Sequence, residues 1–292
     1  MSVSPDLSAA DDLHRAVMRA ALDAAAGHFE LTVAGPPVFG WNDRTIGARA
    51  MTCGDEAVWL RVASELSTWA YGEFWDGNKD AAHIRGVRKP AVMQTFDWAS
   101  GDRWFRAETV TYLAERPVSA TPDLHDDPRL TGQWWKSLKS SLDVLSGHPT
   151  ERVPLSQPMV TRRLRQYFAD RADPVVEYWV TAHNDLHWNN LTQPGCYLLD
   201  WEGWGMAPVG YDAATLYCHS LLVPDVAARV YEEFSGELDT PDGVRSQLLA
   251  VARMLHRSAH GDYPQCHGLE RDQRSSQLSG RGVAVRAGGC GE

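Results

Sequence analysis

Lysine is scarce in this chain. Only Lys79, Lys89, Lys136 and Lys139 occur among 28 basic residues, so any chemistry that needs an ammonium group has four candidates. None of the four follows a glycine, which removes Gly-x-x-x-x-Gly-Lys and with it the Walker type of NTPase. Gly-x-Gly-x-x-Gly is absent as well, which argues against a dinucleotide site, and without Gly-x-Ser-x-Gly there is no hydrolase elbow. No run approaches the ~18 apolar residues of a membrane span. The first dozen residues lack the basic and apolar regions of a secretion signal. Cys53, Cys196, Cys218, Cys266 and Cys290 are odd in number and scattered, with no Cys-x-x-Cys, so neither a disulfide frame nor a zinc ribbon is expected. Reduced thiols in a cytoplasmic protein are the expectation. Positive charge is the minority sign: 28 basic against 38 acidic residues give a net charge of −10. That disfavours nucleic acid and anionic membrane as partners and suits a cationic one.

What is present is ordinary for a globular chain: 292 residues, 43% hydrophobic and 23% charged, enough for one two-lobed enzyme, with twelve tryptophans. Helical spacing of Leu13, Val17, Ala20, Ala21 and Ala24 predicts a helix over 8–26, within an N-terminal segment 1–28. Short β runs follow at 30–33, 45–51 and 57–62, then a polar, aromatic helix over 64–83 and strands at 91–97 and 104–112. Beyond residue 113 the pattern turns helical, at 132–145, 159–171, 174–178, 212–222, 224–234 and 243–258, with short strands at 179–182 and 197–200. The expected organisation is α+β: a β-rich lobe over 29–112, a helical lobe over 113–264, and a loose polar tail over 265–292.

One segment concentrates the chemistry: His183-Asn184-Asp185-Leu186-His187-Trp188-Asn189-Asn190, followed by the apolar run into Asp200-Trp201-Glu202. It sets a carboxylate just after a strand, an amide five residues later, and a second carboxylate at the end of the next apolar stretch. Phosphoryl transfer uses such a set, one carboxylate to take a hydroxyl proton and an Asn with an Asp to hold magnesium on nucleotide phosphates.

His-x-Asp-Leu-His-x-x-Asn followed by Asp-Trp-Glu resembles the aminoglycoside phosphotransferase and choline kinase branch of the protein-kinase-like fold. The resemblance implies a two-lobed kinase fold that binds ATP and Mg²⁺ between its lobes. By it, Asp185 is similar to the catalytic base, Asn190 and Asp200 to the metal ligands, and His183, His187 and Asp212 to residues that support the loop. Gly40, Trp41 and Asn42 stand where the loop over the phosphates is expected. The segment 108–113, with Glu108, Val110 and Tyr112, stands where backbone groups meet the adenine. The chain departs from the family at Arg61, which takes the strand position of the phosphate-binding lysine, with Glu73 or Glu65 as its helix partner. The acceptor implied is a hydroxyl of a small molecule. An amine-bearing one would suit Trp188, Trp201 and Trp204 if their faces line the cleft with Glu202, although core packing accounts equally for tryptophan.

Three other readings stay open on the residues alone. His183, Asp185 and His187 could serve a hydrolytic zinc site, which would leave Asn190 and Asp200 unexplained. The acceptor could be a Ser or Thr of a peptide, or Arg61 could mark a nucleotide-binding pseudokinase. His256 and His260 lie four apart on an expected helix with no carboxylate signature, as surface histidines do.

Overall fold

The computed structural model describes residues 5–259, with side chains from residue 12 onward. His260, Cys266, Cys290 and the expected tail over 265–292 lie outside the described residues. Helix α1 (Pro5–His28) leads into β1 (Thr32–Val33), β2 (Val38–Phe39), β3 (Thr45–Met51) and β4 (Ala57–Leu66). Helix α2 (Glu73–Asp80) and strands β5 (Val92–Ser100) and β6 (Arg103–Thr111) follow. The six strands form one antiparallel sheet in the order β1-β3-β4-β6-β5, with β2 added to β3. Met18, Ala21, Leu22, Ala25 and Ala26 recur at three- and four-residue steps, so one face of α1 carries them all, and they are buried against Ile46, Leu60, Val62 and Phe105.

Strand alternation positions the first functional residue. Val58, Leu60 and Val62 are buried on the α1 side of β4, so the period of two turns Arg61 to the opposite face. Glu108 of β6 pairs directly across from Arg61, which places both side chains on that same face.

The segment over 64–83 corrects the expected helix. β4 runs on to Leu66 because it stays paired with β6 as far as Arg103. The helix is confined to Glu73–Asp80, preceded by Gly72 at φ 79° and followed by a 3₁₀ turn at Ala81–His83.

The second half holds β7 (Arg116–Pro117), α3 (Gly132–Ser146), α4 (Gln157–Phe168), β8 (Trp179–Ala182), β9 (Thr192–Gln193), β10 (Gly205–Pro208), α5 (Tyr211–Cys218), α6 (Pro224–Leu238) and α7 (Pro241–Ala259). β7 pairs with β9 and β8 with β10. Thr131 caps α3 by accepting from the Trp134 N–H at 3.2 Å, and the helix buries Trp134, Trp135, Leu138, Leu142 and Leu145. Their neighbours include Leu186, Trp188, Leu191 and Leu198, so the loop with the chemistry is seated on the largest apolar cluster. Each such side chain contributes about 1.5–3 kcal/mol of burial.

Two expected elements are absent. Residues 174–178 form no helix, since Asp242 at the start of α7 accepts the N–H groups of Glu177 and Tyr178, the latter at 2.7 Å. The strand over 197–200 reduces to one bridge between Leu191 and Leu198, and β8 takes β10 as its partner instead. No helix among the described residues is long and apolar enough to cross a membrane.

Candidate active site

The loop after β8 is held by its backbone. Asp212, in the first turn of α5, accepts from the N–H groups of His183 at 2.7 Å and Asn184 at 2.9 Å. Asn184 has φ 67°, a left-handed conformation that Asn tolerates, and its amide donates to the carbonyls of Gly203 and Gly205. The buried His183 places Nε2 2.8 Å from the Leu199 carbonyl, and its ring meets Trp201 edge-on at 4.8 Å. His183 is therefore committed to the loop. For the zinc reading, no group of three His, Cys, Asp or Glu among the described residues is placed to hold a metal.

Asp185 then projects from a fixed backbone. Its Oδ1 accepts from Arg253 Nη2 at 2.6 Å, while Arg253 Nη1 donates to the Asn184 carbonyl at 2.7 Å. Its Oδ2 lies 3.5 Å from His187 Nε2. Burial alone would raise the Asp185 carboxyl, but the Arg253 guanidinium, helped by His187, holds it well below the usual carboxylate range. Asn190 Nδ2 donates to the Asp185 carbonyl at 3.0 Å, which leaves its amide oxygen for another partner.

Asp200 is exposed to solvent yet closely surrounded by charged groups, Glu202, Arg61, Asp185 and His187. It has φ 61° and makes no side-chain hydrogen bond or ion pair with the described residues. Desolvation, then the Glu202 charge, push its carboxyl upward. A carboxylate so placed fits a divalent cation. Asn190 and Asp200 supply hard oxygen donors, and magnesium bound on a nucleotide takes only one or two carboxylates and completes its shell with phosphates and water.

Two buried groups of the loop support titrate in opposite senses. Burial lowers His183 to about 4 and raises Asp212 to about 6. As pH falls from 6.5 to 4, the unfolded chain gains a proton at His183 that the fold refuses, which costs stability. Between 6 and the ordinary Asp value the fold binds a proton at Asp212 that the unfolded chain does not, which restores it. The two nearly cancel in the wild type. Asp212→Asn should unmask the histidine, so that its stability falls relative to wild type by up to ~1.4 kcal/mol per pH unit between pH 6 and 4. Urea unfolding across that range measures the slope, and a pH-independent gap would contradict it.

Across the cleft, Arg61 Nη1 donates to Glu108 Oε2 at 3.2 Å and Nη2 donates to Glu202. The expected helix partners are both displaced. Glu65 lies on β4, and the exposed Glu73 accepts from the Val153 N–H at 2.9 Å. The residue of α2 that reaches the site is Asn78, which donates to Glu108 at 3.1 Å and accepts from the Trp201 N–H at 2.9 Å. Glu108 is likewise no hinge residue: it is buried in the middle of β6 as a partner of Arg61. Val110 also lies within β6, and Tyr112 follows the strand with the Arg49 guanidinium 5.4 Å from its ring.

Gly40, Trp41 and Asn42 form the tip of the β2–β3 hairpin, a 3₁₀ turn with Asn42 at φ 51°. A Cβ on Gly40 would meet Thr45 Oγ1 at 2.1 Å. The exposed Trp41 has the Arg257 guanidinium of α7 5.5 Å from its ring, so the tip reaches across to the helical half.

The tryptophans of the motif do not line the cleft. Trp188, Trp201 and Trp204 are buried, and their indole N–H groups are used on Ser220 Oγ, the Leu198 carbonyl and the Gly77 carbonyl. Glu202 turns towards the sheet instead of an acceptor. The pattern of the sequence carried no signal for Arg253, Asn78 or Arg44, nor for Arg152. The Arg152 side chain donates to the carbonyls of Trp204, Glu73 and Glu202 and to Asp80, and so ties α2 to the segment after Asp200.

No protein-family model matches the chain, and no curated protein matches it by sequence. Solved structures match it by fold. A thermostable mutant of an aminoglycoside phosphotransferase, in ternary complex with AMP-PNP and hygromycin B, superposes with a TM-score of 0.56 at 11% identity, over 85% of this chain and 94% of that one. An amicoumacin kinase in complex with AMP-PNP, Ca²⁺ and Ami gives 0.52 at 15%, over 88% and 89%. The macrolide 2′-phosphotransferase of Brachybacterium faecium, an apoenzyme, gives 0.53 at 16%, over 91% and 99%. At these identities the likeness establishes the fold alone, a two-lobed α+β fold.

Proposed function

We propose that this chain is an ATP-dependent phosphotransferase that moves the γ-phosphoryl group to a hydroxyl of a small molecule. The observation that carries the reading is the joint placement of Asp185, Asn190 and Asp200, the last without a side-chain hydrogen bond to the described residues, in one loop system near Arg61. Each of the three superposed proteins is named as a phosphotransferase or kinase, and two are bound to AMP-PNP.

In this reading Asn190 and Asp200 hold Mg²⁺, which when bound neutralises charge on the nucleotide phosphates. Arg61 faces the phosphates with a planar fork where a lysine would offer a point charge. Asp185 orients the acceptor hydroxyl and takes its proton. Its low pKa is compatible with that task, because in a loose phosphoryl-transfer transition state positioning outweighs base strength. Arg253 keeps the carboxylate ionised and aimed. His183 and Asp212 fix the backbone from which it projects.

The acidic balance of the chain, net −10, favours an amine-bearing acceptor, to which the buried tryptophans contribute nothing. ADP release measured with a panel of aminocyclitols and amino alcohols, each beside an analogue with hydroxyls in place of amines, tests both parts. Turnover that needs the amine and is lost in Asp200→Ala is the expected result. Turnover indifferent to the amine would remove that part, and turnover retained by Asp200→Ala would remove the metal assignment.

A further inference from the structure

Two guanidiniums from the sheet side grip one carboxylate from the other side of the cleft. Arg44, next to the hairpin tip, donates through Nη2 to Glu202 Oε2, and Arg61 donates through Nη2 to Glu202 Oε1. Each arginine is also held from behind. The Arg44 guanidinium lies 4.7 Å from the Phe74 ring, with Glu65 3.9 Å away, and Arg61 has Glu108. The partners differ in their freedom to leave. Glu108 is 1% exposed and locked in β6, whereas Glu202 belongs to the segment after Asp200 and reaches over to meet the sheet.

One oxygen per guanidinium is also how two arginines hold a phosphoryl group, because carboxylate and phosphate present similar pairs of acceptor oxygens to the arginine fork. Without an anion between them, Arg44 and Arg61 would face each other as partly buried like charges. Glu65 and Glu108 each answer one arginine from behind, and Glu202 is the one carboxylate that both share.

We infer that Arg44 is a second phosphate-binding residue beside Arg61, and that Glu202 is their resident counter-anion, displaced when nucleotide phosphates enter. This rests on the nucleotide reading given above. It sets a sign that a merely structural Glu202 would not. If the carboxylate competes with phosphate, neutralising it strengthens phosphate binding. If it only orients the arginines, neutralising it weakens binding.

Isothermal titration of ADP and of adenosine in EDTA tests this without any contribution from a metal. Glu202→Gln, nearly isosteric, should bind ADP about tenfold more tightly than wild type, and Arg44→Met about tenfold more weakly, with adenosine affinity unchanged in both. Arg44→Lys, which keeps the charge but loses the fork, should fall between. Weaker or unchanged ADP binding by Glu202→Gln, or undiminished binding by both Arg44 variants, would overturn the inference while leaving the nucleotide reading in place. Failure of the wild type to bind either adenosine or ADP would overturn both.

Discussion

Asp185→Asn should lower kcat by about 10²–10⁴, the usual contribution of a positioned general base, with little change in KM for ATP. The direction follows from the surroundings of the side chain. An Asn amide oxygen can still accept from Arg253, so the loop keeps its backbone bonds through Asp212 and His183. What disappears is the oxygen that, in the proposed reaction, takes the acceptor proton. Steady-state kinetics with an accepted substrate measure the change. A variant that keeps wild-type kcat would show that the acceptor hydroxyl is oriented by another group.

The largest effect on stability is expected from Arg152. The residue is 8% exposed, its guanidinium lies 4.7 Å from the Trp204 ring, and it donates to three backbone carbonyls and Asp80. Arg152→Met keeps much of the volume but leaves the carbonyls of Trp204, Glu73 and Glu202 without this donor, which should cost about 3–5 kcal/mol. The loss has a functional side. Gly77 of α2 lies so near the Glu202 backbone that a Cβ there would come within 2.2 Å of its carbonyl, so α2 and the segment after Asp200 pack backbone against backbone. Loosening them should also weaken nucleotide binding. Chemical denaturation reads the first effect, and a loss below about 1 kcal/mol would mean that water replaces the guanidinium at little cost.

The loop from His183 to Asn190 was legible because its chemistry is local. A carboxylate, an amide and a second carboxylate at short spacing report themselves in one dimension. Arg61 was legible through the resemblance, which set it at the strand position of a phosphate-binding lysine. Its partners were not. Glu202 lies 141 positions from Arg61 and 158 from Arg44, and Arg253 lies 68 from Asp185, so each pair is created by the fold and by no local pattern. The same holds for elements. Residues 64–66 have polar character suited to a helix end, yet pairing with β6 draws them into β4. Residues 177 and 178 give their N–H groups to Asp242, more than sixty positions away. Trp188 and Trp204 stand beside site residues in the chain and point into the core, since a loop seated on an apolar cluster must turn some of its side chains inward.

The central claim is the transfer itself. A mixture of low-molecular-weight alcohols incubated with the protein, ATP and Mg²⁺ and followed by mass spectrometry tests it without prior choice of acceptor. At least one compound should gain a mass of about 80, the phosphoryl increment, in step with ADP formation, and Asp185→Asn and Asp200→Ala should suppress the gain. ATP left unconsumed with no compound shifted, or a gain undiminished in both variants, would contradict it.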